Sequence, residues 1–216
     1  MPLKAVHIDL DGVVYISSQL VAGAAEAISA LRRQANVLFV TNTTRMSSQQ
    51  LVDKLASVGI PATKDKVLSS GKVGALYIAS KKPRSRVFLI AEGELQKDME
   101  ALGIQVTRKE EHCDFVFVGH DAEVEYKTLN TAMRLVMEGA ELLGGSDLRT
   151  FPTSSGQSMA NGPIVKALEY ATGATATLMV WARSAAEMPV VTPLAASIET
   201  VNAVWKGDEL SWTISG

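Results

Sequence analysis

Two aspartates near the start of the chain have a spacing that suits acid–base and metal chemistry. Asp9 and Asp11 follow a short apolar run, and side chains two residues apart on an extended chain point to the same side. Paired carboxylates resist joint ionisation unless a cation offsets their charge, and Mg²⁺ prefers oxygen ligands of this kind. One carboxylate can then attack phosphorus while the other, held protonated, gives a proton to the leaving oxygen.

The simpler interpretation of these residues is an Asp-x-Asp-Gly turn that caps the next segment, with Gly12 as its breaker. For an isolated sequence of this kind the turn is the better explanation. Here the pair directly follows the first buried strand of an α/β pattern, which favours the chemical interpretation.

A second polar segment, Thr41-Asn42-Thr43-Thr44, also begins directly after a buried strand. Hydroxyls, amides and backbone N–H groups in such a loop can hold phosphate oxygens without adding charge. A helix N-terminal cap is the alternative, and a cap and a phosphate-binding loop can share the same residues.

Alternating patterns predict an α/β fold with a parallel sheet and right-handed crossovers. Apolar runs predict strands at 5–10, 36–42, 86–91, 114–119 and 140–144. Helical spacing predicts helices at 24–33, 48–58, 93–102, 125–138 and 162–172, with a Gly/Ser/Thr/Pro-rich loop at 144–158. Ligands of open α/β sheets bind at the carboxyl ends of the strands, where both polar segments fall.

Composition excludes several classes of protein. The chain has 216 residues, of which 47% are hydrophobic and 20% charged, with a formal net charge of −2. These values exclude disordered, collagen-like and coiled-coil chains and give no general attraction to nucleic acid or anionic membranes. The single cysteine, Cys113, offers no disulfide or zinc framework, and His7, His112 and His120 lack metal-ligand spacing. Without a membrane-length apolar run, a soluble cytoplasmic protein is expected.

The order of these motifs resembles the haloacid dehalogenase (HAD) superfamily of phosphohydrolases. The match begins with Asp9-Leu10-Asp11-Gly12-Val13 and Val40-Thr41-Asn42-Thr43-Thr44. Three later segments are similar to the class IIA branch, which includes the 4-nitrophenylphosphatase-like and NagD-like enzymes: Val118-Gly119-His120-Asp121, Tyr126-Lys127-Thr128-Leu129-Asn130 and Phe151-Pro152-Thr153. The resemblance covers about residues 4–179.

The resemblance implies a discontinuous Rossmann-like core over 1–82 and 177–216, with an inserted α/β cap over 83–176. It also implies Mg²⁺-dependent hydrolysis of phosphate esters through an aspartyl-phosphate. Asp9 would be the nucleophile and a metal ligand. Asp11 would act as general acid and then base, with its main-chain carbonyl on the metal. Thr41 and Asn42, with Gly12, would bind the phosphoryl group.

Two later motifs of the family are altered in this chain. The expected Gly-Lys-Pro lysine is absent, and Arg183 is the nearest cation, with a different shape and reach. The acidic fourth motif is replaced by Lys206-Gly207-Asp208-Glu209. Asp208 is the candidate Mg²⁺ ligand and Glu209 an outer partner, while a surface Gly-Asp turn is the alternative.

Residues 180–216 differ from the family in composition as well. They contain all three tryptophans, Trp181, Trp205 and Trp212, and two prolines where a helix is expected. We therefore expect this stretch to be frameshifted, truncated or misassigned relative to the family's ordinary C-terminal region. An intact mass that matches the written sequence would eliminate misassignment.

The family resemblance leaves two interpretations of function open. The first is a phosphatase of small phosphorylated metabolites, with Asp147, Arg149 and Thr153 as cap contacts to substrate, although an ordinary polar loop explains these residues equally well. The second is a catalytically impaired protein that binds phospho-ligands. A receiver-type phosphoacceptor domain is a third, which the cap-like block disfavours. Caps of this family often associate, so a homodimer is one expected assembly, with neither nucleic acid nor membrane as a partner.

Overall fold

The chain folds as a mixed α/β protein with parallel sheets, as the sequence predicts. A computed structural model describes residues 5–153, 156–179, 200–206 and 209–215. The described residues form two compact units. The first unit comprises the described residues up to Thr41, then Ser48–Leu68 and the described part of 181–216. The second unit comprises Asn42–Ser47 and the described residues from Ser69 to 179. Among these residues, no helix has both the length and the apolar character needed to cross a membrane.

The first unit is built around a short parallel sheet. Its elements in chain order are β1 (Ala5–Asp9), β2 (Tyr15–Ile16), β3 (Gln19–Leu20), α1 (Ala24–Arg32), β4 (Asn36–Thr41), α2 (Ser48–Ser57) and β5 (Val67–Ser69). The strand order is β1-β4-β5, and β1 runs parallel to β4 with Asp9 opposite Val40. The carboxyl ends of β1 and β4 therefore lie side by side, as the sequence predicts.

The second unit holds a five-stranded sheet. Its elements are α3 (Ser70–Lys81), β6 (Arg86–Ile90), α4 (Leu95–Ala101), β7 (Gln105–Thr107), β8 (Phe115–Val118), α5 (Tyr126–Met137), β9 (Glu141–Gly144), β10 (Thr150–Thr153), β11 (Gly156–Met159), α6 (Gly162–Thr172) and β12 (Thr177–Leu178). The strand order is β12-β9-β8-β6-β7, and every neighbouring pair is parallel.

The five-stranded sheet is apolar on both faces because helices cover each side. Leu89 and Phe117 face a cluster that includes Ile78 of α3 and Leu95 of α4. The alternate residues of β6 and β8 face a second cluster with α5 and α6, whose members include Phe88, Ile90, Val116, Leu135 and Leu168. Strands buried on both sides have nearly continuous hydrophobic sequences, which is why these runs were predictable. Cys113 is buried at the edge of the second cluster, and burial raises the pKa of its thiol to about 11.

Several segments differ from the expected pattern, among them the short strands β2, β3, β5, β7 and β12, which were not predicted. Helix α3 was not predicted, and the expected loop at 144–158 contains a hairpin of β10 and β11. In the C-terminal region, β13 (Thr200–Lys206) pairs antiparallel with β14 (Glu209–Ser215) in a separate two-stranded sheet. The expected core and cap boundaries, at 82/83 and 176/177, stay predictions.

Candidate active site

The two aspartates lie at the carboxyl end of β1 and face away from the core. Ile8 and Leu10 are 2% and 0% exposed, whereas Asp9 and Asp11 are both exposed. This alternation is what extended backbone produces, so the two carboxylates share one side of the chain. The backbone N–H of Leu10 donates to the carbonyl of Val40, which extends the pairing of β1 with β4 to the point between the aspartates.

A tight turn follows β1 and fixes the position of Asp11. The Leu10 carbonyl accepts hydrogen bonds from the backbone N–H groups of Val14 and Tyr15, at 2.9 and 3.2 Å. Gly12 adopts a left-handed conformation with φ +85°, which glycine enters at little cost. Its N–H donates to the Tyr15 carbonyl at 2.8 Å. The predicted role of Gly12 in phosphate binding stays a prediction.

Two side chains contact the Asp11 carboxylate, one at each oxygen. The Thr41 hydroxyl, at the end of β4, donates to Oδ2 at 3.1 Å. The Lys54 ammonium, from the last turn of α2, lies 3.8 Å from Oδ1. Thr41 is 1% exposed, so its hydroxyl is fixed within the sheet edge. The structure thus brings Asp11 and Thr41 together as the sequence predicts, and it adds Lys54.

The electrostatic surroundings of Asp9 disfavour its charged form. Its side chain keeps some exposed surface, yet the protein atoms around its carboxyl group raise its pKa to about 6. Burial is the main cause and the nearby charge of Asp11 adds to it, while a hydrogen bond from the Leu10 backbone acts in the opposite direction. A cation beside the two carboxylates would relieve this cost.

Tyr15 is buried close to Asp9 and Asp11. It is 1% exposed, and its hydroxyl has no hydrogen-bond partner among the described residues. Burial raises the pKa of Tyr15, and the charges of Asp11 and Asp9 raise it further, so the phenol stays neutral near pH 7. The Lys54 ammonium lies 3.8 Å from the centre of its ring, within the range of a cation–π interaction.

The donor set at the end of β1 suits a hard divalent cation. Asp9 offers carboxylate oxygens and Asp11 offers its main-chain carbonyl, both of which are ligands that Mg²⁺ accepts. Within the described ranges, no group of three or more His, Cys, Asp or Glu side chains is arranged to hold a metal ion. The predicted third ligand, Asp208, and the predicted phosphate-binding Arg183 lie outside the described residues, so both stay predictions.

The loop after Thr41 belongs to the second unit and is hydrogen-bonded within it. Asn42 is exposed, and its side-chain oxygen accepts a hydrogen bond from the Ser70 hydroxyl at 3.3 Å. The Arg45 carbonyl accepts from the N–H of Glu94 at 2.9 Å, and the Ser47 hydroxyl donates to the Glu94 carboxylate at 3.3 Å. These contacts limit the conformations open to the loop in which Asn42 is expected to bind phosphate.

Gly93 packs closely against the backbone of this loop. It has φ +78°, and a Cβ added there would lie 2.0 Å from the Arg45 carbonyl oxygen. We expect Gly93→Ala to lower the free energy of unfolding by about 2–4 kcal/mol, from left-handed strain together with overpacking. Urea denaturation measures the change.

Gly103→Ala is the matched control for this substitution. Gly103 also has φ +78°, but a Cβ there would meet nothing within 4 Å. Only the conformational cost of about 1–2 kcal/mol is therefore expected. Equal losses of stability in the two variants would contradict the close approach of Gly93 to Arg45.

A cavity of about 550 Å³ opens beside the same loop, within the second unit. Its polar wall contains an ion pair between Arg45 Nε and Glu92 Oε1, 2.6 Å apart, with His120 Nε2 at 3.8 Å from the same oxygen. On the apolar side, Phe151 meets the His120 ring edge to face, with ring centres 5.0 Å apart. Thr153 also lines the cavity.

The other two predicted cap contacts fall elsewhere. Asp147 and Arg149 are not among the residues that line the cavity. Arg149 is exposed, and its carbonyl accepts from the N–H of Ala160. Their roles as substrate contacts stay predictions.

Sequence reasoning missed Lys54 and the Arg45–Glu92–His120 cluster. Lys54 is separated from Asp11 by β2, β3, α1 and β4, and no spacing rule connects the two positions. Arg45 was overlooked although it stands one residue after the polar segment 41–44, and that adjacency was the available signal.

The chain is similar in sequence and in fold to known proteins. The profile of the haloacid dehalogenase-like hydrolase family matches residues 6–105. An acid sugar phosphatase of Staphylococcus saprophyticus is 34% identical over 172 residues, which are 79% of this chain and 66% of that protein. A thermostable NPPase from Geobacillus stearothermophilus, solved as a single mutant, is 31% identical with a TM-score of 0.74, and the match covers 82% of this chain and 70% of the other. The chain belongs to the haloacid dehalogenase-like hydrolase family.

A structure to which this HAD chain is similar contains magnesium. It is a glycerol phosphate phosphatase from Mycobacterium tuberculosis in complex with magnesium, 29% identical with a TM-score of 0.75; the match covers 82% of this chain and 54% of that one. This HAD chain spans 66% of the Staphylococcus saprophyticus acid sugar phosphatase, slightly less than two thirds of its length. The resemblance stated from its sequence motifs is confirmed.

Proposed function

We propose that this protein is a Mg²⁺-dependent phosphatase that hydrolyses small phosphorylated metabolites through an aspartyl-phosphate. The observation that carries the proposal is the convergence of Asp9, Asp11 and Thr41 at the carboxyl ends of the adjacent parallel strands β1 and β4. The names of the phosphatases to which the chain is similar support the same chemistry.

In the first half of the proposed reaction, the Asp9 carboxylate attacks phosphorus and the bond to the leaving oxygen breaks. Asp11 gives its proton to that oxygen, so the leaving group departs as an alcohol. In the second half, Asp11 takes a proton from water as the water attacks phosphorus, which releases inorganic phosphate and restores Asp9. Thr41, Asn42 and Gly12 would hold the phosphoryl oxygens during both steps.

Asp9, Asp11 and Asp208 would hold the divalent cation. When bound, Mg²⁺ would offset negative charge on the phosphoryl group and on the carboxylates. The raised pKa of Asp9 fits this assignment, because burial and, less strongly, the charge of Asp11 disfavour its carboxylate form, and a cation would offset both effects.

The cavity of the second unit is by itself a candidate binding site for a small ligand. Arg45 in its wall lies three residues after Asn42 in the chain. The wall combines a charged cluster with the ring of Phe151, so a small ligand with both polar and apolar parts suits it. Thr153 would contact that ligand. The homodimer expected from the family resemblance stays a prediction.

Turnover of 4-nitrophenyl phosphate with and without metal tests the proposal. We expect Mg²⁺-dependent release of 4-nitrophenolate, and removal of the metal with a chelator is expected to lower the rate by at least about 100-fold. Added Mg²⁺ should restore the rate, while circular dichroism shows an unchanged fold throughout. Turnover that resists the chelator would contradict the proposed metal dependence.

A second candidate function is binding of a phospho-ligand without catalysis. The absence of the family's Gly-Lys-Pro lysine favours it, because that position neutralises the phosphoryl group in the HAD family. No turnover, together with Mg²⁺-dependent binding of beryllium fluoride, would support this candidate over the first.

A further inference from the structure

We propose that Lys54 is a positioning residue for the Asp11 carboxylate during proton transfer. The inference rests on the phosphatase activity proposed above and deepens it. Nothing in the family motifs found in this chain assigns a role to Lys54, which lies on helix α2 outside all of them.

The geometry gives each oxygen of the Asp11 carboxylate its own partner. The Thr41 hydroxyl donates to Oδ2 at 3.1 Å, and the Lys54 ammonium lies 3.8 Å from Oδ1. Rotation of an aspartate carboxylate about its last torsion is otherwise broad, so its orientation depends on such partners. The Asp11 side chain is 62% exposed, and surrounding packing alone does little to fix it.

Lys54 is itself held in place by the turn that carries Asp11. Its ammonium lies 3.8 Å from the centre of the Tyr15 ring, and its side chain is only 26% exposed. The Tyr15 backbone is bonded on both sides of that turn, to the Leu10 carbonyl and from the Gly12 N–H. Lys54 therefore contacts both the carboxylate and the base of the segment that presents it.

The orientation of Asp11 matters most for substrates whose leaving group needs a proton. Proton transfer requires the donor within hydrogen-bond reach of the leaving oxygen, and small misplacements cost large factors in rate. An alkyl phosphate releases a strongly basic oxygen, whereas 4-nitrophenolate leaves readily without protonation. Loss of Lys54 should therefore slow alkyl phosphates selectively.

The test compares kcat/KM for glycerol phosphate and for 4-nitrophenyl phosphate in the full chain with Mg²⁺. We expect Lys54→Met to lower the ratio of the two values by about tenfold, and Lys54→Arg to recover part of the loss because it keeps the charge. The matched control is Lys81→Met, since Lys81 also lies over a tyrosine ring, at 5.4 Å from the centre of Tyr77. This control should leave the ratio unchanged.

A second measurement does not depend on turnover. In the metal-free protein, the carboxyl-carbon NMR signal of Asp11 should move in Lys54→Met and stay in place in Lys81→Met. If the wild type hydrolyses both substrates but Lys54→Met slows them equally, or if the Asp11 signal does not move, the positioning role is overturned while the proposed function stands. A wild type that hydrolyses neither substrate overturns both.

Discussion

Replacing Asp9 with asparagine should lower kcat/KM for 4-nitrophenyl phosphate by at least about 10³-fold, which corresponds to about 4 kcal/mol of transition-state stabilisation. An amide oxygen is a poor nucleophile toward phosphorus, and the substitution also removes a charge that would bind the metal. The side chain keeps its size and its exposed position at the end of β1, so the fold should persist. Steady-state kinetics with Mg²⁺ give the comparison.

Asp53→Asn is the matched control for Asp9→Asn. Asp53 is an exposed aspartate on α2, adjacent in sequence to Lys54, and its carboxylate accepts only a local hydrogen bond from Gln49 among the contacts described. Its replacement should leave kcat/KM within about twofold of wild type, as is usual for surface positions. Comparable activity in Asp9→Asn and Asp53→Asn would remove Asp9 from the mechanism.

Replacing Asp11 with asparagine should separate the two halves of the reaction. Hydrolysis of glycerol phosphate is expected to fall by about 10²–10⁴-fold, because its leaving oxygen needs the proton that Asp11 supplies. With 4-nitrophenyl phosphate the first half proceeds without that proton, but the second half lacks its base. We therefore expect a burst of about one 4-nitrophenolate per protein molecule, followed by slow turnover.

Stopped-flow absorbance measures this burst directly, and its amplitude counts the active sites. Thr41→Val is a useful companion, because it removes the hydroxyl on Asp11 Oδ2 while the carboxylate itself remains. This variant should lower the rates of both halves of the reaction without producing the burst of 4-nitrophenolate. A uniform loss on both substrates in Asp11→Asn, with no burst, would contradict its assignment as acid and base.

The parts of the fold with strong periodic patterns could be predicted from the sequence. Strands β1 and β4 each have an apolar run followed by polar residues, which predicts that their carboxyl ends lie together. Side chains alternate along an extended chain, which predicts that Asp9 and Asp11 point to the same side. The buried strands β6 and β8 were predictable for a similar reason, since helices cover both of their faces.

Helix α3 could not be predicted, because glycines weaken its local signal. Gly74 disfavours helix by intrinsic propensity, yet an added Cβ there would meet the Phe117 ring at 2.3 Å. Close packing of α3 on the sheet therefore requires a glycine at position 74, and the same glycine weakens the helical pattern of the sequence. The β10–β11 hairpin was missed for a related reason, since Pro152 and Gly156 are unusual strand residues.

Contacts between distant segments were the part of the site that no local pattern reveals. Lys54 reaches Asp11, and Arg45 reaches Glu92, only after separate elements have packed together. Such pairs depend on where helix α2 lies and on the course of the loops that carry Arg45 and Glu92, which periodicity does not specify.

The stereochemical course at phosphorus tests the central claim most directly. A phosphate ester made chiral with oxygen isotopes would be hydrolysed by the Mg²⁺-loaded protein in water enriched in the remaining isotope. Transfer to Asp9 and then to water involves two in-line displacements, so the predicted result is net retention of configuration. Net inversion would mean that water attacks the substrate directly, and it would contradict an aspartyl-phosphate on Asp9.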